Sequence, residues 1–420
     1  MSGAAARDAY SWRIQAPVYG TAFFTGNLYP MSHAVMPLWA ALELDASLFM
    51  VGVIIASRQL LPVTLSIYGG ALLDRFGPRR VIMVLGLLGA CSTAMVPFFP
   101  FIWATIMFQI VIGFCETTNW IGVQSAVGTL MKGQAIYAGR MTAAARVGGF
   151  FGPALIAAAY DFGGPVGGFL SFGLWALCGA IGAIFLPHHE RRAVSTRDSI
   201  SDTGALPGEN SGTEARSDVM PSLSDYRESF RFLAIPAIAL VIAATFMRQT
   251  GSGVQASFYA VWLNDLGYTV TTIGILIGIG NGVSALSALS IGPLTRRIAD
   301  YWLLLIAVAF AILGVAGTPL FEGFLFLTLA ISLRGVGQGL NLPLMMTIAS
   351  RAVPAHLQGR AAALRISFNR FGGMLFPVIM GGIAEVIGLE YAFYTVGAMG
   401  IFLLCGLAVW VAQAKDQFGR

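Results

Sequence analysis

Five ionisable side chains stand where the surrounding sequence is almost wholly apolar: His33, Arg58, Glu116, Arg248 and Arg334. If those stretches cross a bilayer, each arginine at mid-depth costs roughly 2.5–3.5 kcal/mol on insertion scales and must face a cavity or a partner. Glu116 can neutralise one of the three arginines, which leaves two positive charges, worth about 5–7 kcal/mol if dry and unpaired. An anionic ligand would relieve that cost, because a guanidinium grips carboxylate or phosphate through two parallel N–H donors. The chemistry expected of Arg58, Arg248 and Arg334 is therefore reversible binding of a small organic anion. The competing reading is structural, with the arginines satisfied by Glu116, backbone carbonyls and polar neighbours. Glu116 also has two readings, a fixed strut against Arg58 or the protonation site of a proton-coupled cycle. His33 is a second candidate for proton coupling, against the reading of a hydrogen-bonded core histidine.

Neutral polar residues recur at similar depth: Asn27, Gln59, Asn119, Gln249, Asn281, Gln338 and Asn341. They suit the lining of a central cavity, although hydrogen bonding between helices is their common use in membranes. Tyr259 joins them as an amphipathic lining residue, where the alternative is packing or lipid contact. Arg146, Arg365 and Arg370 are expected nearer the basic ends of their stretches.

Holding these groups at mid-depth requires helices. Of 420 residues, 56% are hydrophobic and 11% charged, and the mean hydropathy is +0.75. So few charges cannot coat a water-soluble surface, so the solvent must be lipid. A helix needs about 20 apolar residues to cross the hydrocarbon. Such runs are predicted near 17–42, 48–70, 80–98, 101–127, 142–163 and 166–187, then near 232–262, 268–291, 301–319, 323–349, 362–386 and 390–413. The expected fold is an all-α membrane protein with 12 transmembrane helices.

Lys and Arg are absent from 43–47, 99–101, 160–165, 263–267, 320–322 and 387–389. The opposing loops hold Arg75, Arg79, Arg80, Lys132, Arg140, Arg296, Arg297, Arg351 and Arg360. Cytoplasmic loops retain basic residues, which puts both termini and the central loop in the cytoplasm and the chain in a plasma membrane, or the inner membrane of a bacterium. The net charge of +5 is not gathered into a solvent-facing stripe, so no nucleic-acid partner is expected. Cys91, Cys115, Cys178 and Cys405 lie inside apolar runs without metal or redox spacing and read as small hydrophobes. The first residues lack an apolar core followed by a cleavage site, so no cleavable signal peptide is expected.

Residues 1–187 and 231–420 read as two six-helix bundles joined by a flexible linker, 188–230, that is rich in Ser, Asp, Glu, Arg and Gly. Ser222 and Asp225 form a capping box that opens a short interfacial helix at its end. The bundles are repeats. Arg146-Val-Gly148-Gly149-Phe-Phe-Gly152-Pro153 recurs 224 residues later as Arg370-Phe-Gly372-Gly373-Met-Leu-Phe-Pro377, and Gly113 matches Gly337 at the same offset. Gly70 matches Gly292 at 222, and Trp39 matches Trp262 at 223. Two halves of like orientation imply a pseudo-two-fold axis along the membrane normal, with a site between them near the midplane. Gly148, Gly149, Gly152, Pro153, Gly372, Gly373 and Pro377 are expected to serve close helix packing.

The loop from Gly69 to Arg80 reads GGALLDRFGPRR, and its order of Gly70, Asp74, Arg75, Gly77 and Arg79 resembles the signature between helices 2 and 3 of the major facilitator superfamily. A degenerate copy, Gly292-Pro-Leu-Thr-Arg296-Arg297, carries Arg296 in the acid's place. The resemblance implies that superfamily's fold and a cytoplasmic gate of Gly70, Asp74, Arg75, Arg79 and Arg360, in which Asp74 meets the start of helix 11 and Arg360 is its partner. Arg334-Gly-Val-Gly337-Gln338-Gly339 resembles a pattern that drug/proton antiporters of the superfamily show in helix 4, yet here it lies in span 10. Span 4 carries Glu116 and Asn119 instead. Gly139, Gly148, Gly152 and Pro153 keep the spacing of the antiporter signature in helix 5, without its final Gly pair.

No nucleophile-and-base pair, metal-ligand spacing or phosphate-cradling loop is present, so neither an enzyme nor an ATP-driven pump is expected and no cofactor is implied. The expected function is that of a monomeric secondary active transporter for a carboxylate-type anion, working by alternating access with protons or a counter-anion. The second reading is a drug/proton antiporter exporting amphipathic compounds, against which the excess of arginine counts for cationic drugs. The third is a transporter-like ligand sensor.

Overall fold

In lipid the backbone must satisfy its own polar groups within each segment, which for long apolar runs means helix. A computed structural model describes residues 10–131, 135–187, 231–321, 323–354 and 358–414. The linker, its interfacial helix and Lys132 lie outside the described residues. The helices of the first half are α1 (Trp12–Thr25), α2 (Leu28–Leu38), α3 (Leu48–Ser57), α4 (Leu60–Phe76), α5 (Pro78–Met95), α6 (Ile102–Leu130) and α7 (Ala135–Ile184). Those of the second are α8 (Pro236–Ser257), α9 (Tyr259–Asp265), α10 (Val270–Leu289), α11 (Ile291–Thr295), α12 (Asp300–Ala316), α13 (Phe324–Ala352), α14 (Gln358–Ile387) and α15 (Leu389–Gln413). Among the described residues, nine stretches are long and apolar enough to cross a membrane, and Asp300–Ala316 is a shorter apolar helix.

Several expected single helices are broken, and proline accounts for three of the breaks. Pro30, Pro62 and Pro293 lack the N–H that would close on the residue four back. The helix lapses there, between α1 and α2, between α3 and α4, and between α10 and α11. The loop expected at 160–165 is a tight kink between two helices. That kink is a chain reversal and α7 is two helices in succession: helical geometry fails at Gly164, at φ 62° and ψ −163° ahead of Pro165, and Gly168 packs back against Tyr160, so the expected connection is present in tighter form.

Apolar packing differs between the two ends. One large core joins Met31, Leu38 and Trp39 of the first half to Phe258, Leu263 and Ile273 of the second, and it lies toward the Arg-free loops. The remaining clusters belong to one half each. One groups Val18, Ile82, Val123 and Met131, and two more group Leu240, Leu304 and Leu344 and Ile242, Val353 and Leu364. Among the described residues, the halves therefore share a hydrophobic core at the Arg-free end and none at the basic end.

Small residues let the helices of opposite halves meet. Gly52 of α3 lies against the carbonyl of Pro377, and a Cβ added to Gly274 of α10 would sit 2.5 Å from the carbonyl of Pro153. Gly148 packs against Phe23 and Asn27, Gly152 against Met31, and Gly372 against Gln249, each within its own half. Gly149 and Gly373 lie between the halves, Gly149 near Asn27 of its own half and Asn281 of the other, and Gly373 near Gln249 of its own half and Gln59 of the other.

Candidate functional site

The break at Pro62 leaves Arg58 at the junction of α3 and α4, where its side chain runs to α6. Arg58 Nη2 and Nε donate to Glu116 Oε2 at 2.7 and 3.0 Å, and Nη1 donates to Gln109 Oε1 at 2.9 Å. The residue is 2% exposed. Gly113 permits this approach, since any Cβ there would strike the carbonyl of Arg58. Leu28, Gly86, Cys115, Asn119 and Phe172 line a small cavity beside the pair.

The arginines of the second half are placed differently. Arg248 Nη1 donates to Gln338 Oε1 at 2.6 Å, and Nη2 donates to Asn369 Oδ1. Gln338 donates in turn to Ser252 Oγ at 2.6 Å, and Gln249 donates to the Asn369 carbonyl at 3.0 Å. Arg334 is 8% exposed, and among the described residues it has no hydrogen bond or ion pair, with Nε buried and unsatisfied. Spacings of four and seven put Arg334, Gln338 and Asn341 on one face of α13. Asn341 Nδ2 and Oδ1, Tyr259 Oη and His33 Nε2 are also buried without hydrogen-bond partners among the described residues. Arg334 lies within electrostatic reach of both His33 and Tyr259, and the His33 ring meets Tyr29 edge-on at 4.6 Å.

Two arginines expected nearer the basic ends instead reach across the centre. Arg370 Nη1 donates to Gln59 Oε1 of the other half at 3.1 Å, and Arg146 Nη1 to Ser284 Oγ at 3.5 Å. Both sit about three turns inside their helices, at about 1.5 Å per residue. The 224-residue repeat pairs the two in sequence, which is the signal that could have found them. Gln109, Ser252 and Asn369 were missed, and nothing in their local sequence marks them.

Other candidates serve as links between helices. Asn281 donates to the Gly149 carbonyl at 3.0 Å, and Asn27 accepts from Trp175 Nε1 at 3.0 Å while donating to the Phe23 carbonyl at close range. Asn119 is buried with Oδ1 unsatisfied. At the expected gate, Gly70 has open space around it, Arg75 lies 5.3 Å from the Phe76 ring centroid, and Arg79 is in the first turn of α5. Asp74 and Arg360 fall within α4 and α14, but their side chains lie outside the described residues.

The centre is thus strongly cationic. Arg58, Arg146, Arg248, Arg334, Arg365 and Arg370 all lie within the spans, with Glu116 as the one acid at comparable depth in the sequence.

Comparison with known proteins gives this architecture relatives. The family model of the Major Facilitator Superfamily matches residues 18–364 and 241–417. An uncharacterized protein of Mycobacterium tuberculosis (strain H37Rv) is 29% identical over 162 residues, which is 36% of this chain and 37% of that one. The chain therefore aligns with little more than a third of that relative. The class B tetracycline resistance protein of Escherichia coli is 24% identical over 84% of this chain and 83% of its own. Among solved structures, the nucleoside transporter NupG superposes with a TM-score of 0.73 at 12% identity, covering 94% of this chain and 98% of that one.

Proposed function

The chain belongs to the major facilitator superfamily, and from that premise we propose that it moves a small organic anion between its two halves by alternating access. Membership makes it a multi-pass transporter of a plasma or inner membrane, with a small-molecule substrate and lipid around it. The proposal adds twelve crossings, cytoplasmic termini, two bundles of 1–187 and 231–420 as the moving units, and a monomer.

The observation that carries the anionic substrate is Arg334, a buried guanidinium with no partner among the described residues. A charge in that position is costly unless a ligand completes it. A carboxylate bound there would also accept from the Tyr259 hydroxyl and from His33, both unsatisfied. His33 then acts as a neutral ligand contact rather than the coupling site. Arg248, already oriented by Gln338 and Asn369, is the second cation facing the ligand, and Arg146 and Arg370 extend the positive wall. The anion enters from the basic end, where the halves share no apolar core among the described residues.

Arg58 has another role in this reading. Paired with Glu116 and Gln109, it braces the first half, and a proton taken up by Glu116 would release the pair and couple the cycle. A drug/proton antiporter remains the second reading, supported by the similarity to the tetracycline resistance protein across most of both chains.

Flux into proteoliposomes separates these readings, with a panel of carboxylates, phosphates and cationic dyes tested with and without a pH gradient. Carboxylate or phosphate transport is expected, and transport of cationic dyes alone would overturn the anionic substrate. Arg334→Ala should weaken anion binding by about 10- to 100-fold, the loss of one charge-assisted hydrogen-bonded contact.

A further inference from the structure

Two helices at the Arg-free end begin with caps that are finished by acids from the opposite half. A helix start leaves its first N–H groups without intrahelical acceptors, and each of these starts meets the need twice. At α3, Ser47 Oγ accepts from the Met50 N–H at 3.4 Å, while Glu385 Oε2, from the last turn of α14, accepts from the Phe49 N–H at 3.1 Å. At α10, Thr269 Oγ1 accepts from the Thr272 N–H at 3.2 Å. Asp161 of α7 takes the remaining donors, with Oδ1 accepting from the Val270 N–H at 3.1 Å and Oδ2 from the Thr271 N–H at 2.6 Å and the Thr271 hydroxyl at 2.5 Å.

The two arrangements are copies. Ser47 precedes Thr269 by 222 residues and Asp161 precedes Glu385 by 224. Those are the same offsets that relate Gly52 to Gly274 and Pro153 to Pro377, the close contacts one to two turns deeper on the same helix pairs. Each half therefore supplies one capping acid and receives one, and neither cap is complete unless the halves meet at this end. A carboxylate is also drawn to the positive end of the helix dipole. The loops at this end contain no Lys or Arg to compete for either acid.

We propose that Asp161 and Glu385 form a pair of symmetry-related latches that hold the Arg-free end closed, and that the end opens when both acids leave the opposing helix starts. The latches are unequal, since Asp161 receives three donors and Glu385 one. This assignment is independent of what the protein carries.

The test measures the gap at that end directly. Phe101 and Leu320, 64% and 68% exposed, lie in opposite halves and take no part in either cap, and in a variant freed of Cys91, Cys115, Cys178 and Cys405 they accept spin labels through cysteine substitution. Pulsed electron–electron distance measurement then reads the closed and open populations in lipid nanodiscs. Asp161→Asn and Glu385→Gln keep the shape and an acceptor but remove the charge. Each should raise the ratio of open to closed by about threefold and the pair together by about tenfold, with the larger single effect at Asp161. Asp161→Glu and Glu385→Asp, which keep the charge, should stay nearer the parent. An unchanged distance distribution in the double amide variant would overturn the proposal, as would equal shifts in the amide and charge-keeping variants. If the double variant does not fold, the single variants answer the same question.

Discussion

Removing the carboxylate of Glu116 while Arg58 stays in place tests whether the pair braces the first half. Arg58 is 2% exposed, and two of its three bonded N–H groups end on Glu116 Oε2, at 2.7 and 3.0 Å. A hydrogen bond to a charged group contributes about 1.5–3 kcal/mol and a neutral one about 0.5–1.5 kcal/mol. Glu116→Gln keeps an acceptor, so weakening two bonds should cost about 2 kcal/mol. Glu116→Ala leaves the guanidinium with Gln109 alone, and removing one partner of a buried pair costs about 3–5 kcal/mol. For a unit of this size, 3 kcal/mol corresponds to about 6–12 °C in melting temperature. The assay is thermal unfolding in detergent, followed by tryptophan fluorescence, for Glu116→Ala and for the cycle of Glu116→Leu, Arg58→Met and the two together. The double variant buries no charge and should recover part of the loss, giving a coupling of about 2 kcal/mol or more. A melting temperature for Glu116→Ala within about 2 °C of the parent, with no coupling in the cycle, would refute the strut. In flux measurements Glu116→Gln should lose its dependence on the pH gradient while exchange persists, and unchanged pH dependence would remove Glu116 from coupling.

Two further outcomes follow from packing and exposure. Gly113→Ala places a methyl group against the carbonyl of Arg58, and overpacking of this kind costs about 1–3 kcal/mol. Thermal unfolding should show the loss, and a parental melting temperature would mean that α6 does not press on the break in α3–α4. Arg351 binds Asp300 at 2.6 Å but is 65% exposed, so Arg351→Ala should cost at most about 1 kcal/mol. A larger fall in melting temperature would contradict a screened surface pair.

Much of the site can be traced to particular residues read in order. Arg58, Arg248 and Arg334 stand out because an apolar run makes a guanidinium conspicuous, and Glu116 stands out because it is alone. The repeat links Arg146 to Arg370 by spacing, yet their reach into the centre was not legible, because depth within a helix depends on where that helix begins. Partner choice was less legible still. Arg370 meets Gln59 across 311 residues of sequence and Arg248 meets Asn369 across 121, and no local pattern encodes contacts at that range.

Composition and periodicity by themselves determined that this protein lives in lipid, that its apolar runs are mainly helical and that the Arg146–Pro153 pattern recurs at Arg370–Pro377, because those properties follow from local chemistry along the chain. The breaks near Pro30, Pro62 and Pro293 were not read from the sequence, which suggested unbroken runs, although a missing N–H acts four residues away. Only the tertiary structure decided which charges are spent on one another. It gave Arg58 to Glu116, left Arg334 without a partner among the described residues, and set Asp161 and Glu385 on helix starts of the opposite half. Those outcomes depend on which helices are brought face to face, and that is a property of packing between segments hundreds of residues apart.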